Sequence, residues 1–448
     1  MKKKWISCIL TAAMFATLLA GCGDSGKQTE AEGISAEPAA GSTQESAEAA
    51  EPADGQEVLE FYHGYYHEES EWAPAKAMRD IYDEFAAQHA DGPVTFKPIA
   101  TEDVQGTVDN KVAGGSYPDM IDLAGNSVSL AAMTQDLLYD MKPYIEEQSL
   151  QNQVGINYTQ NDVDGKIYTV HDQLLTIGFW YNQKIFEDAG AALPDSWAKW
   201  TDFDDAMSKV RAAGGDVYAY GAGQGSARCF NAYLGSTEAG QTYVNQELTV
   251  EAIESAEFEE SFKTVANLDQ KNGSANASGD ANDWSADFNA GKSAIFFNGV
   301  WAAGGFGDST EFQPAIYPGG VALSSAGGGI TIANGMSDAK TELALEFIKY
   351  MTSDEVQSKI FTLVGANPCN NTLDLNKLAE GAGSGTELLA KACSQANGAK
   401  VIVPTIDATW GTDIANAIAN KLVECTVSGV DVDAKFEELK SELTGLIG

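Results

Sequence analysis

From residue 58 onward the chain alternates short apolar runs with stretches whose apolar positions recur every three or four residues. Val58-Leu59-Glu60-Phe61-Tyr62 predicts a strand. Over 72–90, Ala77, Ile81 and Phe85, with Met78 and Tyr82 beside them, fall on one face of a helix. Val94-Thr95-Phe96-Lys97-Pro98-Ile99 reads as a second strand, 104–112 as a short helix, and Asp119-Met120-Ile121-Asp122-Leu123 as a buried third strand. This alternation predicts a parallel sheet covered by helices. In such sheets ligands bind past the carboxyl ends of the strands, which here carry His63-Gly64-Tyr65-Tyr66 and Gly125-Asn126-Ser127. Farther along, Pro194-Asp195-Ser196-Trp197 and Thr201-Asp202-Phe203-Asp204 read as helix starts, the second feeding a helix to about Arg211. Leu343, Phe347 and Met351 stand four apart with Ile348 alongside, and Thr352-Ser353-Asp354-Glu355 reads as a capping box. These residues are expected to serve as core and caps.

The first residues carry a different pattern. Lys2, Lys3 and Lys4 precede an apolar run over 5–20, shorter than the roughly 20 residues of a membrane span and placed where a secretory signal belongs. The run ends in Leu19-Ala20-Gly21-Cys22, which resembles the bacterial lipobox, where the cysteine thiol is acylated before cleavage. The expectation is a leader over 1–21 and a lipidated Cys22 that holds the protein at the outer face of the membrane. Residues 23–57 hold nine acidic residues, one Lys and almost no large apolar side chain. With nothing to bury against its chain entropy, 22–57 reads as an extended acidic tether.

Composition narrows the function. Lys and Arg number 27 against 65 Asp and Glu, a formal net charge of −38, and that field repels nucleic acid and other polyanions. A hydrophobic share of 44% supplies a packed core, and the length fits two domains. Cys229, Cys369, Cys393 and Cys425 stand in no metal-binding spacing and read as buried small hydrophobes, with one bridge as the alternative. His63 and His67 are four apart beside Glu68 and Glu69, but Gly64 stands where a zinc protease helix would carry Glu, so no metal site is expected. The run Gly221-Ala222-Gly223-Gln224-Gly225 lacks the last glycine of a dinucleotide fingerprint, and no cofactor is expected. There is no Gly-x-Ser-x-Gly elbow and no phosphate-loop lysine. Paired carboxylates for glycoside hydrolysis stay open among so many acids.

Five blocks then coincide. Tyr117-Pro118-Asp119-Met120-Ile121, Gly165-Lys166-Ile167-Tyr168, the run from Trp180-Tyr181-Asn182-Gln183-Lys184 to Asp195-Ser196-Trp197, Phe288-Asn289-Ala290-Gly291-Lys292 with Gly299-Val300-Trp301, and Ala344-Leu345-Glu346-Phe347-Ile348 with Lys349-Tyr350-Met351 resemble the family 1 extracellular solute-binding proteins, in the family's order over 58–448. Val170-His171-Asp172 departs from the family's pattern after the second block. The resemblance implies an α/β, two-lobe fold of the type II periplasmic-binding-protein kind, with hinge strands and an interlobe cleft. It places one lobe at 58–174 and 332–366 and the other at 175–331 and 367–448. It further implies a monomer that takes up a sugar, an oligosaccharide of a few units, without acting as an enzyme. The sugar would pass to the permease of an ABC importer whose ATPase is a separate subunit. A glycan-degrading enzyme, or the same scaffold holding a phosphorylated polyol or a peptide, is the alternative.

A sugar ring presents C–H faces that pack on aromatic rings and a rim of hydroxyls that both donate and accept. On that chemistry and by resemblance, Trp301 is the expected platform, with Trp410 facing it from beyond a second strand end and Trp180 as a further aromatic candidate. Tyr65 and Tyr66 point oppositely, so one should face the cleft. His63, Asn126, Ser127, His171, Asp172, Gln224 and Asn298 are polar candidates. Arg228 could hold a hydroxyl pair or a carboxylate with its planar fork.

Overall fold

The computed structural model describes residues 56–274, 281–307 and 309–447. The expected leader, Cys22 and nearly all of the tether lie outside the described residues. The first strand, β1 (Glu57–His63), begins inside the stretch read as tether. Helix α1 (Ala73–Gln88) follows, then β2 (Val94–Ala100), α2 (Val104–Ala113) and β3 (Met120–Gly125).

β1 pairs in parallel with β2, from Glu57 opposite Val94 to His63 opposite Ala100, and with β3 through Phe61 and Tyr62. The strand Gly328–Ile332 runs antiparallel to β3, and Thr169–Val170 closes that edge. The chain therefore re-enters this sheet at Gly328, ahead of the expected boundary at 332. Alternate residues of β1 point to opposite faces, so Leu59, Phe61 and His63 are all buried. α1 covers that face with Ala75, Met78, Ile81, Tyr82 and Phe85. Phe61 meets the edge of Tyr82 at 5.0 Å, and Phe96 lies 4.5 Å from Phe347 of the returning helix Asp338–Met351.

Two further sheets make up the rest. One has the order Gly273–Ser274, Tyr218–Gly221, Ser293–Phe296, Phe179–Asn182, Phe312–Ala315. The other has Asn367–Pro368, Gln173–Ile177, Val321–Ser325, Val401–Val403. Their helices carry the expected periodicity, as in Phe203, Ala206, Met207 and Val210 of Trp200–Ala213. That helix starts one residue before Thr201, with Asp202 accepting the Lys199 amide, while Pro194–Ser196 is a single turn of 3-10 helix. Ser353 caps Asp354–Lys359 by accepting from the Val356 amide. All four described cysteines are free and buried.

The chain passes between the first sheet and the third twice, from Val170 to Gln173 and from Ser325 to Gly328, and a third passage runs from the π-helix Ile360–Val364, whose Ile360 is in the first sheet's core, to Asn367 of the third sheet. Two α/β bodies joined by short extended crossings constitute a two-lobe fold.

Candidate functional site

The crossings are tied to one another. The Nδ1–H of His171 in the first donates to the Ala326 carbonyl in the second at 2.5 Å, and Asn157 clamps the backbone N–H and C=O of His171 at 2.8 and 2.9 Å. Gln160 adds bonds to the Ser324 carbonyl and the Ala326 amide. Gly328 and Gly329 are close approaches: a Cβ on Gly328 would fall 1.7 Å from the Asn126 carbonyl oxygen, and one on Gly329 would fall 2.2 Å from the His171 Cα. Burial lowers the His171 pKa against the pull of Asp122. Burial pushes Asp122 above the usual carboxylate range, and burial with the Asp122 charge pushes Asp172 well above it. Neither Asp172 carboxyl oxygen has a partner, and both are sealed from solvent. The neutral forms are the ones this environment favours.

On the first lobe, the loop after β1 is an aromatic shelf. Arg79 of α1 donates to the carbonyls of Tyr65 and His67, each at 2.7 Å, and pins it. Tyr65 is held through its hydroxyl, which accepts from Gln173 at 2.7 Å, and it stacks on Trp72 at 5.6 Å and 20°. Tyr66 is the outward member of the pair and stacks on His67 at 4.1 Å. Tyr66 and Trp72 are 39% and 37% exposed. At the end of β3, Asn126 donates to the Leu123 carbonyl and is exposed with Ser127.

On the second lobe, Tyr218–Gly221 runs parallel to Ser293–Phe296 in one sheet and Val401–Val403 runs parallel to Val321–Ser325 in the other. Thr405, just past Val401–Val403, links that strand's end to the second crossing, since its amide donates to Ser325 Oγ at 2.8 Å. Gln224 lies exposed at the start of helix Gln224–Gly235, bonded to Asn416. Arg228 of the same helix grips Asp407 with both terminal nitrogens, Nη2 to Oδ2 at 3.2 Å. Burial disfavours both charges, yet their mutual attraction wins: Asp407 is held below the usual carboxylate range and Arg228 above its ordinary value. Past Ser293–Phe296, Asn298 Oδ1 accepts the Gly299 amide at 2.8 Å, and the Trp301 ring comes to rest over Gly299, 37% exposed.

Three expectations need correction. Trp410 is a core residue: its indole N–H bonds the carbonyls of Tyr243 and Gln246, and its ring stacks on Phe258. Trp180 is 1% exposed and donates to the Gly299 carbonyl at 3.1 Å. His63 is buried behind the shelf, its Nδ1 accepting the Tyr65 amide, and burial with the nearby Arg79 charge lowers its pKa to about 3. Sequence reasoning passed over Trp72, which it took only as a helix boundary. The available signal was an indole at an N-cap, where short oxygen-bearing side chains belong and where it makes no cap bond.

A separate groove of about 600 Å³ lies where β1 and β3 begin, at the opposite end of the first sheet, around Glu57, Tyr117, Asp119 and Lys340. Lys340 pairs with Asp119 at 2.7 Å, and Glu57 accepts from the Ser337 hydroxyl. Among the described residues, no cluster of three or more His, Cys, Asp or Glu could hold a metal, and no helix is long and apolar enough to cross a membrane.

No curated protein sequence matches this chain. Among solved structures, a Streptococcus pneumoniae solute-binding protein in complex with the blood group A-trisaccharide is 52% identical with a TM-score of 0.75, over 87% of this chain and 100% of its own. A family 1 extracellular solute-binding protein from Bifidobacterium longum subsp. infantis shares the fold at 18% identity, TM-score 0.66, over 87% and 100%. So does the cyclic alpha-maltosyl-1,6-maltose binding protein from Arthrobacter globiformis, at 16% and 0.64 over 88% and 98%. The family model for the bacterial extracellular solute-binding protein matches residues 80–384. The chain belongs to the bacterial extracellular solute-binding proteins.

Proposed function

We propose that this protein captures an uncharged oligosaccharide of a few units and delivers it, uncleaved, to the permease of an ABC importer with a separate ATPase. It works as a monomer anchored through lipidated Cys22 at the outer face of the bacterial membrane. The observation that supports the reading is the Trp301 ring, seated on the Gly299 backbone and 37% exposed. The shelf of Tyr66 and Trp72 offers the first lobe's contribution, and Asn126, Ser127, Gln224 and Asn298 offer hydroxyl partners. Each such hydrogen bond is worth only about 0.5–1.5 kcal/mol net, so the aromatic surfaces supply affinity and the polar rim supplies selection. A sugar that touches both lobes does so only in the closed form, and its binding energy shifts the population toward closure.

Binding without hydrolysis is supported by Asp172: its environment favours the proton a glycosidase acid needs, yet both its oxygens are sealed away from the cleft. The relative at 52% identity makes the blood group A-trisaccharide the first ligand to try. Calorimetry and thermal melting with that sugar should give saturable binding and a raised melting temperature by mass action, and chromatography should recover the sugar intact. Released monosaccharide would overturn the capture reading. Failure of a whole panel of neutral oligosaccharides to bind would overturn the sugar.

A further inference from the structure

The backbone at Gly299 poses a question that its own conformation does not answer. Its φ is −71° and its ψ 170°, values any residue adopts, so no turn demands a glycine there. A side chain is excluded by something else. An ideal Cβ on Gly299 would sit 2.2, 2.2 and 2.4 Å from Cη2, Cζ3 and Cε3 of Trp301, well inside contact distance. The missing methyl is the space in which the ring lies.

The seat under that ring is fixed from below. Trp180, 1% exposed, donates its indole N–H to the Gly299 carbonyl at 3.1 Å and packs its edge on Phe306 at 4.8 Å. The Gly299 amide is taken by Asn298 Oδ1 at 2.8 Å, and Gly299 bridges Ile177, the last residue of the strand Gln173–Ile177 that leaves the first crossing. One tryptophan thus holds the peptide on which the other rests, and that peptide is joined to a hinge strand.

We propose that Gly299 and Trp180 are positioning residues for the sugar platform: Gly299 lets the Trp301 indole lie down in its binding orientation, and Trp180 holds Gly299 in place. The proposal rests on the sugar-capture reading for its effect on affinity, but the orientation of the ring can be tested without any sugar. A methyl at 299 strains no backbone and meets only the far end of a side chain that can swing outward, so Gly299→Ala should fold as the native chain does.

The test is a double-mutant cycle of Gly299→Ala with Trp301→Ala, read by calorimetry with the blood group A-trisaccharide, alongside acrylamide quenching of tryptophan fluorescence in the sugar-free protein. Gly299→Ala alone should weaken binding about tenfold, the scale of one aromatic contact, and should cost nothing further once Trp301 is already Ala. Quenching should rise in Gly299→Ala and not in Gly299→Ala with Trp301→Phe. Trp180→Phe, which keeps a ring and loses the N–H, should weaken binding several-fold with kinetics of closure unchanged. Equal loss in both Trp301 backgrounds, or unchanged quenching, would overturn the positioning role. If Trp301→Ala leaves affinity intact while quenching behaves as expected, the stacking reading fails and the seating of the ring stands.

Discussion

Replacing Trp301 by Ala removes the indole proposed as the second lobe's sugar platform. Trp301 is 37% exposed, and taking a tryptophan's surface as roughly 250 Å², about 90 Å² of it is available to be covered. At about 25 cal/mol per Å² the ceiling on what a ligand gains there is roughly 2 kcal/mol. A sugar face covers only part of that area, so the expected loss is about 1–2 kcal/mol, or about 5- to 30-fold in Kd. The assay is calorimetric titration of the native chain, Trp301→Ala and Trp301→Phe with one oligosaccharide that binds. Phe restores a flat apolar face of smaller area and should recover part of the loss. The melting temperature of the sugar-free protein is followed alongside, since the larger part of the indole is already covered in the folded chain and Trp301→Ala is expected to lower stability as well as affinity. Unchanged Kd in Trp301→Ala would refute the reasoning, and so would a Kd loss that merely tracks a general loss of folded protein.

Trp410→Ala should do the reverse, costing about 3–5 kcal/mol of stability by emptying a core site with two bonded carbonyls, and leaving Kd unchanged in the protein that remains folded. Asp407→Asn leaves the Arg228 guanidinium unpaired at 14% side-chain exposure and should cost about 2 kcal/mol, below the figure for a fully sealed pair because Asp407 is itself 27% exposed. Since the Asp407 pKa is depressed, that contribution is present above its unfolded pKa and is lost as pH falls through the folded value, so melts of the two proteins should converge in acid. Asp269 behaves oppositely. Burial pushes its carboxyl up to about 7 despite the bond from Tyr220 at 2.9 Å, so between about pH 4 and 7 the folded chain keeps a proton that the unfolded chain releases. Stability should fall by about 4 kcal/mol across that window at about 1.4 per pH unit, and urea titrations at several pH values should show Asp269→Asn free of that slope.

Local periodicity made the elements legible and left the side-chain partners hidden. The alternation in β1 that marks Leu59 and Phe61 as core also places His63 on the same face, so its burial was readable from the strand that suggested it as a ligand. Trp410 is different. Its fate is decided by Phe258 and by the carbonyls of Tyr243 and Gln246, which no local pattern connects to it. Arg228 likewise faces a partner 179 residues away. The family resemblance carried the two-lobe organisation, yet the strand that returns to the first sheet starts at Gly328 because its glycines must pass against Asn126 and His171, a requirement that exists only once those segments are brought together.

The disposition of the cations bears on what kind of solute this cleft admits. The arginines of the chain are Arg79, Arg211 and Arg228. Arg79, beside the first lobe's shelf, gives its Nη1 donors to two loop carbonyls, and Arg228, on the second lobe, is paired with Asp407. Arg211 sits in the last turn of helix Trp200–Ala213, away from the strand ends. A phosphorylated or carboxylated ligand that used the planar fork of Arg228 would have to take it from a carboxylate already in bidentate contact, against the field of a chain whose net charge is −38. A neutral sugar of the kind proposed faces no such competition: on that proposal it would use the open ring of Trp301 and short polar groups that trade one hydrogen bond for another. If Asp407→Asn converted the protein into a binder of acidic oligosaccharides while neutral ones lost affinity only modestly, Asp407 would be seen to set charge selection as well as to neutralise Arg228. Acidic sugars that bound the native chain as tightly as neutral ones would show that the Arg228–Asp407 pair sets no charge selection.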